Sequence, residues 1–220
     1  MVNIYILKNG SFHITDEIQD GAWINLSSPT MRDTDNISSL TQIDRRYFTD
    51  AAAANEIEKN KTVAVSFLNI ENEKYRMILS DKYVITVCQN HDSGELRQFI
   101  KGMISMIEKP GFVNVDIKDL FNIINKSENM YMVSGCGTGG EKTGCITETI
   151  LASSNTKTLL SNTTGILMTL FFSPNVKLDD INNLVETMSK NINSDAVVVW
   201  GAVLDASLED EIKLTLAAAA

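Results

Sequence analysis

The chain has no apolar run long enough to cross a membrane. Runs such as Gly165 to Phe172 fall well short of the about 20 residues that a spanning helix needs, so membrane insertion and transport are excluded. Histidine is scarce, with only His13 and His91 in 220 residues, and Cys88, Cys136 and Cys145 form no C-x-x-C pair. Zinc or Cys–His nucleophile chemistry therefore has little to build on, and buried structural roles are expected for all five. An odd cysteine count with no signal-peptide pattern fits a reducing compartment, so a cytoplasmic location is expected. Positive charge is also in deficit: 19 Lys and Arg face 28 Asp and Glu, a net charge of -9. The deficit is spread evenly, with 9 basic against 13 acidic residues in 1–92 and 10 against 15 in 93–220. Neither half offers a basic face to nucleic acid or anionic lipid.

What is present is enough apolar material, 44% of residues, to bury one large core or two modest ones. Near the middle, Leu96 to Ile107 carries apolar residues at helical spacing, and Pro110-Gly111 ends that helix. The following loop holds three short polar side chains, Asn114, Asp116 and Asp119. Asp116 is placed to cap a second helix through Leu120, Ile123 and Ile124, with Asp119 in its first turn. Two readings of these acids stand together. They are helix caps, or they form a loop that orients a water or cation, since two nearby carboxylates ionise together only with something between them.

The first ninety residues read as a small α/β unit. Met1 to Leu7 and Phe12 to Thr15 flank Lys8-Asn-Gly10, a hairpin signal. Gly21 to Thr30 is a strand that ends at Pro29 and hands over to one or two amphipathic helices across residues 31–50. Thr62 to Asn69, Tyr75 to Leu79 and Tyr83 to Cys88 make three meandering strands. A polar boundary lies at Asn90 to Gly94.

The segment "LRQ…KGMIS.IEKPGFVNVDIKDL" resembles the end of the central helix and the next loop of the FtsZ/tubulin family. The likeness continues through strands at 130–135, 165–172, 195–201 and 212–216 and helices at 140–150 and 178–188. It implies that residues 93–220 form the family's four-stranded mixed sheet with packed helices. It also implies that Asn114, Asp116 and Asp119, on the family's N-x-D-x-x-D pattern, reach GTP held by a neighbouring subunit, with Gly111 on the family's glycine. Ile117 and Lys118 depart from the usual Phe and Ala, and the lysine sets a cation beside the acids. The family's glycine-rich nucleotide loop has no counterpart before residue 93. Ser134 to Gly140 lies between a strand and a helix but matches a turn of the C-terminal half.

Residues 1 to about 90, through "IYILKNG", "GAWINLSSPT", "NEIEKNKTVAVSF" and "ILSDKYVITVC", resemble the N-terminal cytosolic domain of CorA-type magnesium transporters. The transporter's Gly-Met-Asn signature is missing, because Gly102-Met103 runs on into Ile104. Asp81 and the Asp16/Glu17/Asp20 group read as solvated turns before they read as Mg²⁺ ligands.

The expectation is therefore an α/β (α+β) chain of two small domains, 1–92 CorA-like and 93–220 FtsZ-like. It would be a filament-assembly module without its own GTP-binding half, inactive alone, that contributes in trans to hydrolysis. Its partners would be a nucleotide-bearing FtsZ-like subunit or further copies of itself, with GTP supplied by the partner and Mg²⁺ accompanying it. The alternative is a magnesium-responsive regulatory or self-associating module. The order of the two segments suggests a fusion, to which the alanine runs at 51–54 and 217–220 add.

Overall fold

The computed structural model describes residues 1–49, 63–70, 73–89, 93–108 and 115–220. Local chemistry starts the fold as the sequence suggests. Strands β1 (Val2–Lys8) and β2 (Ser11–Thr15) turn at Asn9 and Gly10, both at positive φ (51° and 77°), as a tight primed hairpin requires. Strand β3 (Ala22–Ser27) is wholly buried and leads to helix α1 (Met31–Thr41). Thr30 caps α1 in a reciprocal box with Asp33, whose carboxyl is held below its ordinary range by the Thr30 N–H and hydroxyl. A short α2 (Arg46–Thr49) follows, then the antiparallel meander β4 (Val63–Ile70), β5 (Glu73–Ser80) and β6 (Tyr83–Cys88). Ala51 to Ala54 lie outside the described residues.

Helices α3 (Gly94–Glu108) and α4 (Ile117–Ile124) come next, then β7 (Asn129–Thr138), α5 (Lys142–Leu151) and α6 (Ser154–Asn162). The chain closes with β8 (Gly165–Phe172), α7 (Leu178–Ser189), β9 (Val197–Leu204) and β10 (Glu211–Ala219). Ala217 to Ala219 are no loose tail: they are fully buried in β10, between β7 and β8.

The expectation of two separate small domains, the second with its own four-stranded sheet, needs correction. Among the described residues one ten-stranded sheet runs β2-β1-β3-β6-β5-β4-β7-β10-β8-β9, with parallel pairs β3/β6, β4/β7 and β8/β9. The four C-terminal strands are contiguous in it, but they are joined edge to edge to the N-terminal six. Phe67, Leu68 and Asn69 pair with Asn129, Met130 and Tyr131. Around that joint the Phe67 N–H donates to Glu128 O (2.7 Å), Asn69 Nδ2 to Met130 O (3.1 Å) and Ser66 Oγ to Glu128 O (3.1 Å).

One core lies on the α3/α4 side of both halves. Tyr5, Trp23, Leu68, Tyr75 and Met77 share it with Phe99, Met103, Leu120, Met130 and Leu167. On the opposite side, α1 and α2 cover the N-terminal strands, and α5 to α7 cover the C-terminal ones.

Helix α3 fastens the two ends of the sheet. Arg97 donates to the Tyr5 hydroxyl (2.8 Å) and lies over the Tyr5 and Trp23 rings on the β1/β3 side. Lys101 pairs with Asp205 (2.7 Å), just after β9. Gly102 lies against Thr169 of β8, and Met106 against Gly201 of β9. Arg97 and Met106 are about 13.5 Å apart along the helix axis. The strands they touch stand eight places apart in the sheet, roughly 38 Å if it were flat. The sheet must therefore curl around the helix, as large twisted sheets do.

A methyl group on residue 102 would sit 2.9 Å from Thr169 Cβ. Gly102→Ala gains about 1 kcal/mol of helix propensity, and overpacking costs about 1–3 kcal/mol. We expect net destabilisation of about 1 kcal/mol in urea unfolding. A stabilised variant would show that α3 and β8 are not so close.

Candidate functional site

Asp116 and Asp119 stand at the start of α4, where the expected cap is realised. Asp116 adopts extended backbone (φ -75°, ψ 141°), and its Oδ1 accepts from the Lys118 N–H at 3.0 Å. Asp119 Oδ2 accepts from the Asp116 N–H at 3.3 Å, which closes a reciprocal box. Both side chains remain exposed, so capping fixes the two carboxylates without burying them. Val115 and Leu120 are buried beside them and Ile117 packs on the shared core, so the loop's end is anchored from below. The cation expected beside the acids, Lys118, is exposed and makes no ion pair with either among the described residues. Asn114 and Gly111 lie outside the described residues.

Next to this helix start is a cleft of about 220 Å³ between the end of α3 and the β5–β6 turn. Ile104, Ile107, Ile117 and Leu79 line it, with Asp20, Asp81 and Lys82 among its residues. It thus brings together Asp20 and Asp81, two of the acids considered for magnesium. No group of three or more His, Cys, Asp or Glu suited to a metal occurs among the described residues.

The glycine-rich Ser134 to Gly140 stretch has another use. β7 continues through Thr138, so most of the stretch is strand. Gly137 lies so near the start of α5 that a Cβ would come within 2.3 Å of Lys142 O. Gly139 turns the chain at φ 71°. Its N–H, free to cradle an anion, donates instead to Asp210 Oδ2 (3.2 Å), while Lys142 Nζ holds Asp210 Oδ1 (2.6 Å). The site that would suit a phosphate oxygen is filled by a carboxylate of the same chain, which sequence spacing could not reveal.

The cysteines and His13 correct an expectation. Only Cys88 is buried, whereas Cys136, Cys145 and His13 are exposed, and His91 lies outside the described residues. Cys136 follows Met130 and Met132 in strand alternation, so it belongs to the α3 side of β7. Cys145 sits on α5, which packs on the other side, where Gly135 meets Ile146 and Ile150. The two thiols therefore face apart.

With this geometry in place, the class of fold can be stated: a mixed sheet in which β7, β10, β8 and β9 pack against α3, α4 and α5 to α7. It is similar to FtsZ. The chain aligns with an empty FtsZ dimer structure from M. jannaschii at TM-score 0.51 and 23% identity, over 57% of this chain and 36% of that one. Residues 129–220 match the FtsZ family, C-terminal domain. Among curated relatives, the cell division protein FtsZ of Buchnera aphidicola subsp. Baizongia pistaciae is 26% identical over 154 residues, 70% of this chain and 40% of its own. The mitochondrial division protein fszA of Dictyostelium discoideum is 27% identical over 161 residues, 73% of this chain and 31% of its own. The chain thus spans about a third to two fifths of the length of these relatives. An aligned stretch of 154 residues in a chain of 220 must include its middle, and with it Asp116 and Asp119. Among the described residues no helix is long and apolar enough to cross a membrane.

Asp210 gives a pH test. Its carboxyl is held below its ordinary value of 3.8, first by Lys142 and also by the Gly139 N–H. A depressed carboxyl stabilises the fold above its unfolded value, and that contribution is lost as pH falls through the folded one. Asp210→Asn should melt below wild type at neutral pH, with the gap closing only under pH 3.8. A gap that stays constant to acid pH would mean the carboxylate does not hold the turn.

Proposed function

We propose that this chain is an FtsZ-like assembly module that offers Asp116 and Asp119 to a nucleotide held by an adjoining subunit. The observation that carries the reading is the loop end itself. Two exposed carboxylates are fixed by reciprocal capping on a helix rooted in the core, within the stretch that aligns with FtsZ. Each acid gives one oxygen to the backbone and keeps its second for a water or cation. Set about a Mg²⁺-bound GTP on a neighbour, they would orient the attacking water, with Asn114 as the third polar group of the pattern. The chain's own glycine turn is filled by Asp210, which fits a role for nucleotide supplied in trans. The partner is then an FtsZ-like subunit that carries the nucleotide, and binding to it would cap a filament or raise its turnover. The CorA-like, magnesium-responsive reading of residues 1–92 draws no comparable support from the Asp20/Asp81 cleft.

The test is to add the chain to polymerising FtsZ and follow GTP turnover and filament length. Wild type should raise turnover or shorten filaments. Asp116→Asn with Asp119→Asn keeps the capping oxygens, so the fold survives, and should lower the turnover effect by about a hundredfold or more, the order lost with a catalytic acid or base. No change in either quantity on adding wild type would overturn the proposal.

A further inference from the structure

Among the described residues the sheet ends on one side in β9, Val197-Val198-Val199-Trp200-Gly201-Ala202-Val203-Leu204, an unusual edge. It has no charge, proline or polar side chain, and it pairs with β8 in unbroken parallel register along its length. Edge strands normally carry lysine, proline or a bulge, because a regular, uncharged edge recruits another strand. The opposite edge, β2, follows that practice: it is five residues long and carries Ser11, His13 and Thr15. Yet β9 leaves Val197 42% and Leu204 54% exposed at its two ends.

We propose that β9 is a self-association edge, taken up by β9 of a second copy in antiparallel pairing across a twofold axis. This inference is independent of the nucleotide-contact reading. The strand's own pattern favours the copy as occupant. A twofold normal to the sheet pairs residues of the same face, and placing Gly201 on the axis sets Trp200 opposite Ala202 of the second copy. It sets Val199 opposite Val203 and Val198 opposite Leu204 in the same way. Trp200, the one large ring, then meets the small Ala202, branched aliphatics meet one another at the other two pairs, and the exposed Leu204 is covered. Trp200, Val198 and Ala202 already belong to the α5–α7 core, while Val199 and Val203 pack on the α3 core. The pairing would therefore extend both cores across the axis, in the isologous manner of twofold dimers. Because the strand is uncharged, two copies of a chain with net charge -9 meet here without like charges facing across the axis. One strand pair with its flanking side chains lies at the small end of stable interfaces, so a dissociation constant on the order of micromolar is expected.

Sedimentation across a concentration series, up to about 100 μM, tests this. Wild type should pass from monomer to dimer. Val197→Lys with Leu204→Lys, both at exposed positions, should weaken dimerisation at least about tenfold while the melting temperature stays near wild type. Asp116→Asn with Asp119→Asn should leave the dimer unchanged, which separates this edge from the proposed filament contact. Val198→Cys with Leu204→Cys, in a Cys136→Ser and Cys145→Ser background, should give a covalent dimer on mild oxidation. A chain that stays monomeric throughout, a dimer indifferent to the two lysines, or cysteines that fail to cross-link would overturn the proposal.

Discussion

The packing of α3 inside the curled sheet is the constraint on which the rest depends. This one helix supplies Leu96, Phe99, Ile100, Met103 and Ile104 to the core that both halves share. Its polar positions reach in three directions: Arg97 to Tyr5, Glu95 to Ser134 and Lys101 to Asp205. The Lys101–Asp205 pair is mostly shielded. Burial alone would raise the Asp205 carboxyl, but hydrogen bonds from Lys101 and Ser207 outweigh it and hold the group below its ordinary value. Glycines set how near the helix can come, at Gly102 on its own face and Gly201 on the strand it meets. Helix α4, which carries Asp116 and Asp119 at its start, lies against β4, β8 and β9 and buries its apolar face in the same core.

A second theme is that the protein's own carboxylates occupy the backbone positions that would attract anions. Asp33 and Thr30 close the start of α1, Asp116 and Asp119 that of α4, and Asp210 the Gly139 turn. These cases differ in what is left over. All three are exposed, but Asp210 spends both oxygens on groups of its own chain, whereas Asp116 and Asp119 spend one each. The difference separates an acid used wholly for structure from two that leave an oxygen facing solvent.

Much of the local structure was legible in the sequence. Asn9-Gly10 announces its hairpin, Thr30 with Asp33 its cap, and the apolar run at 165–172 its buried strand, because each signal is complete within a few residues. The capping of Asp116 was among the readings for the same reason. What stayed hidden depends on partners distant in sequence. The β4/β7 pairing joins residues about sixty positions apart, and nothing in either strand names the other. The glycines at 135 and 137 suggested a loop, but their cause is the approach of α5. The exposure of Cys136 also escaped, since alternation gives its face and not where the covering helix stops.

The brevity of the β4/β7 joint has a mechanical meaning. Neighbouring ladders such as β4/β5 and β7/β10 run for eight or nine paired residues, whereas this one has three. Under load along the strands, rupture would begin where the fewest backbone bonds share the force. The two blocks of strands would then part while α3, bonded to both, acts as a tether and limits how far they separate.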